Sequence, residues 1–230
     1  MKDLIILGAG GTAAQIAELA ESLNEQEKEW NIVGYLDDNP ALFDKEMVGY
    51  KVIGTIDDAH KYPEAYFISS IAHPNNRMIR REVYMRVKQQ GGKFATLISP
   101  DARVSKSAII KEGTLVFGNA LIGSLVTLEE DVCLFSVHIG HESVIKAHTT
   151  ASGSACIAGG VVIGSDCYIS TNTSIAHDIT IGDNTLLAIG SAATNNLKGG
   201  DMYIGVPAIP SRKYGKLRLF INSLMKNNKI

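Results

Sequence analysis

Apolar and polar positions along the 230-residue chain follow two rhythms, and the change between them falls near Ile98. Before it, short β-type runs alternate with helical stretches. Leu4-Ile5-Ile6-Leu7 is an unbroken aliphatic run of the kind buried in a parallel sheet. The turn Gly8-Ala9-Gly10-Gly11-Thr12 follows, after which Ala13, Ile16, Ala17, Ala20 and Leu23 recur at helical spacing. The run from Asn31 to Leu36 predicts a second strand ending at Asp37-Asp38-Asn39-Pro40, and Ala65 to Ser69 a later one. Met78, Ile79, Val83 and Val87 predict another helix, closed near Gly91-Gly92. This alternation is that of a βαβ layer fold.

Beyond Ile98 an aliphatic residue returns at every sixth position: Ile98, Val104, Ile110, Val116, Ile122, Leu128 and Leu134. A single step of five leads to Ile139, and the series then runs through Ile145, Ala151, Ile157, Ile163, Ile169, Ile175, Ile181, Leu187 and Ala193. A small residue often stands four places later, as at Ala102, Ala108, Thr114, Ala120, Ala155, Thr173 and Thr185. An α-helix would scatter a period of six around its circumference. A parallel β-helix uses it: each flat side contributes one inward aliphatic residue, and three sides make a coil of about 18 residues. The last segment carries Leu217, Leu219, Phe220, Leu224 and Met225 among Lys and Arg, the pattern of an amphipathic helix able to cap or flank one end. The organisation predicted is a Rossmann-like α/β domain over 1–97, a β-helix over 98–210 and a helical cap over 211–230.

Composition narrows the function. With 45% hydrophobic and 20% charged residues the chain has the material for a packed core, which argues against disorder. Its 22 basic residues against 24 acidic ones give a formal charge of −2, so the whole chain has no electrostatic case for nucleic acid or an anionic membrane. No apolar run approaches the roughly 20 residues of a membrane span, and Met1–Gly8 leads into a glycine turn rather than a signal peptide, so a cytoplasmic protein is expected. Cys133, Cys156 and Cys167 are odd in number and lack CxxC spacing, so neither disulfides nor a metal site is expected.

The glycine turn could let backbone approach a phosphate at a helix N-terminus. As a dinucleotide fingerprint it is incomplete, with Ala13 at the sixth motif position and Asp37 lying too far on. In the repeats, His138, His141, His148 and His177 compete as candidate bases, and His141 comes just after the five-residue step. Adding one and two coils to 141 gives Gly159 and His177, so these three should stack along one edge. Gly159 is either a donor of an unobstructed N–H or a corner glycine needing positive φ. Cys156 offers a rival, covalent chemistry.

With these features in their order, the chain resembles the left-handed β-helix acyltransferases of the hexapeptide-repeat superfamily, and within them the sugar acetyltransferases of the PglD/NeuD type. The resemblance is carried by the glycine-rich strand-turn-helix, Leu36-Asp37-Asp38, the repeats, His141-Glu142 and Gly205-Val206-Pro207-Ala208. It implies an α/β Rossmann-like domain plus a left-handed parallel β-helix with a C-terminal helix, assembled as a homotrimer with active sites between neighbouring prisms. It further implies acetyl transfer from acetyl-CoA to a nucleotide-linked 4-amino-4,6-dideoxysugar, without a metal. His141 would be the general base and Glu142 its partner. Gly10, Gly11, Thr12, Asp37 and Asp38 would hold the nucleotide sugar, and Gly159, Thr150 and His177 would contact acetyl-CoA. Alternatives are sugar O-acetylation of the sialic-acid type, a non-catalytic nucleotide-binding scaffold and, more distantly, a nicotinamide oxidoreductase.

Overall fold

A computed structural model describes residues 1–227. The N-terminal strands are β1 (Lys2–Leu7), β2 (Trp30–Leu36), β3 (Glu46–Met47), β4 (Tyr50–Gly54), β5 (Tyr66–Ser69) and β6 (Lys93–Phe94), with helices α1 (Gly11–Gln26) and α2 (Met78–Gln89). They form one sheet in the order β3-β4-β2-β1-β5-β6, parallel except for the β3–β4 hairpin. Central strand β1 is aliphatic on both faces because both faces are covered. Leu4 and Ile6 pack with Ile16 and Ala17 of α1, whereas Ile5 and Leu7 pack with Val83 and Val87 of α2. The chain moves from β1 to β2 on one side and returns to β5 on the other, leaving a crevice at the carboxyl ends of β1 and β5 where the glycine turn emerges. The β3–β4 hairpin has no signal in the sequence. Its turn is Val48-Gly49, both at positive φ, and a β-branched residue is poorly suited to that conformation.

The repeats build a three-sided parallel prism of two-residue strands. The first side runs from Leu97-Ile98 to Leu186-Leu187, the second from Arg103-Val104 to Ala192-Ala193, and the third from Ile109-Ile110 to Thr180-Ile181. In every strand of the six-residue series the second residue is the inward one, and these residues form a single core. The five-residue step shortens the corner Phe135-Ser136-Val137, between first and second sides, without breaking the ladder: His138 pairs with Leu121 below and Cys156 above. Several corners hold Asn or Asp at positive φ, among them Asn119, Asp131, Asp166 and Asn172, residues that tolerate the left-handed conformation.

The two bodies share packing. Leu97, Leu115 and Cys133, outward residues of the first side, lie in one buried cluster with Leu4, Ile6 and Ile16. Arginines of α2 add polar ties. Arg80, fully buried, pairs with Asp131 at 2.7 Å and donates to the carbonyls of Ser69 and Ile71, while Arg77 donates to Asn184 and Arg81 pairs with Asp166. At the far end, Tyr203, Leu197 and Ala208 cover the prism core. Helix α3 (Ser211–Asn227) follows; residues 228–230 of the expected cap lie outside the described residues. The helix does not close the prism with its apolar face, because Leu217, Phe220, Ile221 and Leu224 remain 45–59% exposed.

Candidate active site

The corner between second and third sides carries the residues singled out in the repeats. His141 and Glu142 occupy a tight turn in which Glu142 has φ 59°. In a straight strand these neighbours would point apart. The left-handed residue brings them together, and His141 Nδ1 lies 2.9 Å from Glu142 Oε2. Both side chains are open to solvent, 65% and 62% exposed. A carboxylate only accepts, so this contact places the ring proton on Nδ1 and leaves Nε2 as a free base.

Backbone bonds fix what lies above and below. Glu142 N donates to Ser124 O, Gly160 N to His141 O, and Asp178 N to Gly159 O, which stacks Ser124, His141, Gly159 and His177 along one edge. The imidazole lies over Gly159: a Cβ there would stand 2.7 Å from both His141 Cε1 and Nε2. Gly159 itself is not at positive φ; Gly160 is, at 69°. The glycine at 159 is therefore explained by the ring beside it and not by its backbone conformation. Among the described residues the Gly159 N–H has no backbone acceptor. His177 is exposed one coil beyond Gly159.

Thr150 does not join this group. It lies on the first side, opposite the His141 corner, and is 3% exposed between Cys133 and Tyr168. Its side chain is packed away and is not available to a cofactor at this corner. His148 is also not a surface residue. It is 7% exposed, its Nδ1 is 3.0 Å from Asp131 Oδ2, and Tyr84 packs edge-on against it. Complete burial raises the Asp131 carboxyl above the ordinary carboxylate value, against the pull of Arg80 and His148. Cys156 is exposed on the second side in register with His138, away from the His141 corner. His141 also does not owe its place to the shortened corner; its own turn is regular.

A second group forms at the sheet crevice. Gly10 caps α1, no acidic residue occupies the first helical turn, and a Cβ at Gly10 or Gly11 would meet nothing within 4 Å. Exposed backbone N–H groups here and at the partly exposed Thr12 suit an anion. Asp37 holds the turn in shape, accepting from Ala9 N and Asn39 N at 2.8 Å each. Asp38 is tied into the scaffold by Ile56 N and Arg86. Partial burial works to raise its carboxyl, but the Arg86 and Ile56 bonds prevail and hold it below the ordinary value. Asp38 thus has a structural partner that sequence reading did not supply. No group of His, Cys, Asp and Glu suited to a metal occurs among the described residues, and no described helix is long and apolar enough to cross a membrane.

Comparison with known proteins agrees with this architecture. Residues 3–87 match the family model described as the PglD N-terminal domain. The UDP-3-O-acylglucosamine N-acyltransferase of Bordetella petrii is 31% identical over 119 residues, 50% of this chain and 31% of that protein. The UDP-N-acetylbacillosamine N-acetyltransferase of Bacillus subtilis is 30% identical over 118 residues, 50% of this chain and 51% of that one. The chain thus spans about a third to a half of the length of these curated relatives. A solved structure, the acetyltransferase domain of PglB from Neisseria gonorrhoeae in complex with acetyl coenzyme A, superposes with a TM-score of 0.82 at 29% identity, covering 91% of this chain and 98% of that one.

Proposed function

From a chain that is PglD-like in its N-terminal domain and shares the hexapeptide-repeat fold of these sugar acetyltransferases, we propose an acetyl-CoA-dependent N-acetyltransferase acting on a nucleotide-linked 4-amino-4,6-dideoxysugar. One observation carries the proposal: a histidine oriented by a carboxylate at Nδ1 lies against a glycine whose N–H is unengaged, at an exposed corner. Two relatives bear names of N-acylating enzymes of UDP-sugars, which favours an amine over a hydroxyl acceptor.

His141 Nε2 takes the proton as the sugar amine attacks the thioester carbonyl and the C–N bond forms. The Gly159 N–H donates to the oxyanion of the tetrahedral intermediate. The C–S bond then breaks and the imidazolium returns its proton to the departing thiolate, giving the acetamido sugar and free CoA. No acyl-enzyme is required, so both substrates are bound together. His177, farther along the same edge, is offered as a contact for the pantetheine arm. Gly10, Gly11 and Thr12 receive the diphosphate through backbone N–H groups. Asp37 still has lone pairs to accept from the nucleoside, and Asp38 lies beside it with one oxygen committed to Arg86. The α/β body packs on the first side, across the prism from His141. A neighbouring copy supplying the acceptor site, as in a trimer, completes the arrangement.

Acetyl-CoA is to be assayed for thiol release with UDP-, dTDP- and GDP-linked 4-amino-4,6-dideoxysugars. Release is expected with one of them, and His141→Ala should lower turnover by about 10²–10⁴-fold while acetyl-CoA binding persists. Absence of release across the panel, or near-normal turnover of the variant, overturns the proposal.

A further inference from the structure

The near-neutral total charge conceals an uneven distribution. Residues 211–230 contain six basic residues and no acidic one, so the rest of the chain holds 16 basic against 24 acidic residues. All of α3 lies in that basic segment, and its described side chains stand largely in solvent. Among the described residues only its start is anchored: Tyr214 packs against Gly205, and Arg212 faces Asp201 at 3.7 Å.

On a helical projection Tyr214, Leu217, Phe220, Ile221, Leu224 and Met225 fall within one broad arc. Leu217, Phe220, Ile221, Leu224 and Met225 are 45–64% exposed. Arg212 and Lys216 lie on the other side, together with Leu219; Arg218 borders the apolar arc beside Met225, and Lys213 falls within it at the anchored end. A soluble helix normally buries such an arc against its own domain, and this one does not.

A second copy of the helix is the first occupant to consider, because Tyr214, Leu217, Ile221 and Leu224 have the 3-4-3 spacing of a coiled-coil seam. Charge opposes it. In a parallel pair the positions flanking that seam bring Lys213 toward Arg218 of the other helix, and α3 has no acidic residue to offset them. An anionic lipid surface resolves both features. Its headgroups take the cations, and the boundary of its acyl region takes the apolar arc of a helix lying in the plane.

We propose that α3 is an interfacial helix that docks this chain onto anionic lipid bilayers. The inference rests on α3 alone and does not depend on the acceptor chemistry.

The full chain is to be floated with vesicles of phosphatidylcholine alone and of phosphatidylcholine with about one third phosphatidylglycerol, at low and high salt. Co-flotation is expected with the anionic vesicles and not with the neutral ones, and it should be lost near 0.5 M salt, where screening is strong. Replacing Arg212, Lys213, Lys216 and Arg218 together by Gln should weaken partition roughly a hundredfold or more. Leu217→Ser with Phe220→Ser should weaken anionic-vesicle binding while the sedimentation coefficient without lipid stays unchanged. Equal binding to both vesicle types, no binding, or a double Ser variant that loses self-association but still floats would each overturn the proposal, the last in favour of a second copy.

Discussion

Gly159 and Gly140 are neighbours along one edge of the prism, yet their glycines answer to different constraints. A methyl at 159 would meet the His141 ring, a side chain that can move; a methyl at 140 would stand 2.5 Å from the Gly159 backbone nitrogen, which cannot move freely. Gly159→Ala is therefore expected to keep its thermal midpoint and lose turnover by about 100-fold, as a displaced base does. Gly140→Ala should lower the midpoint itself, and a thermal melt beside a turnover assay separates the two. The cysteines give a second residue-scale test. Burial pushes the Cys133 and Cys167 thiols up to about 11, whereas Cys156 is exposed. A thiol reagent at neutral pH should label one cysteine in the folded protein and three after denaturation. Repeat arithmetic places Gly159 beside His141 because it preserves vertical neighbours, whereas His141 and Glu142 are singled out through the resemblance. The same arithmetic gave no warning for Thr150, because the burial of an outward residue depends on what packs over that side.

At the scale of elements, α2 shows why some of the fold escaped the sequence. Its buried face is Arg80, Val83, Tyr84 and Val87, a regular helical spacing with an arginine in an apolar slot. Hydropathy counts that arginine as surface. The structure buries it because Asp131, from a prism corner, and the carbonyls of Ser69 and Ile71 meet its guanidinium. Breaking one partner leaves the other charge buried. Arg80→Met should cost about 3–5 kcal/mol in a urea titration, and the Arg80→Met/Asp131→Leu pair should cost less than the single change. An additive result would mean that the two side chains do not interact. The six-residue period was readable for the opposite reason: each repeat meets copies of itself, so one inward aliphatic residue per side satisfies a core of fixed cross-section.

For the whole molecule the governing fact is that the two halves of the proposed site lie apart within one chain. Leu97 belongs to the α/β cluster and Ile98, the next residue, packs on the prism core, so there is no linker on which one body could swing toward the other. The glycine turn is carried by the body packed on the first side, and His141 stands at the opposite corner. A chain that must combine them needs a partner, and this has a consequence that a site within one chain does not share. Gly10→Asp introduces a charge facing any phosphate, while offering α1 a better cap than glycine, so the variant should fold and fail to bind acceptor. His141→Ala fails in the other half. Each variant alone should be inactive, because every site in its assembly has the same defect. Mixed assemblies, unfolded together and refolded or co-expressed, contain sites in which an intact turn from one chain meets an intact His141 from another. Thiol release should then return to a sizeable fraction of the unmutated rate in the mixture and to none of it in either parent. A mixture as inactive as its parents, with mixed assemblies verified by a tag on one variant, would mean that each chain builds its site alone.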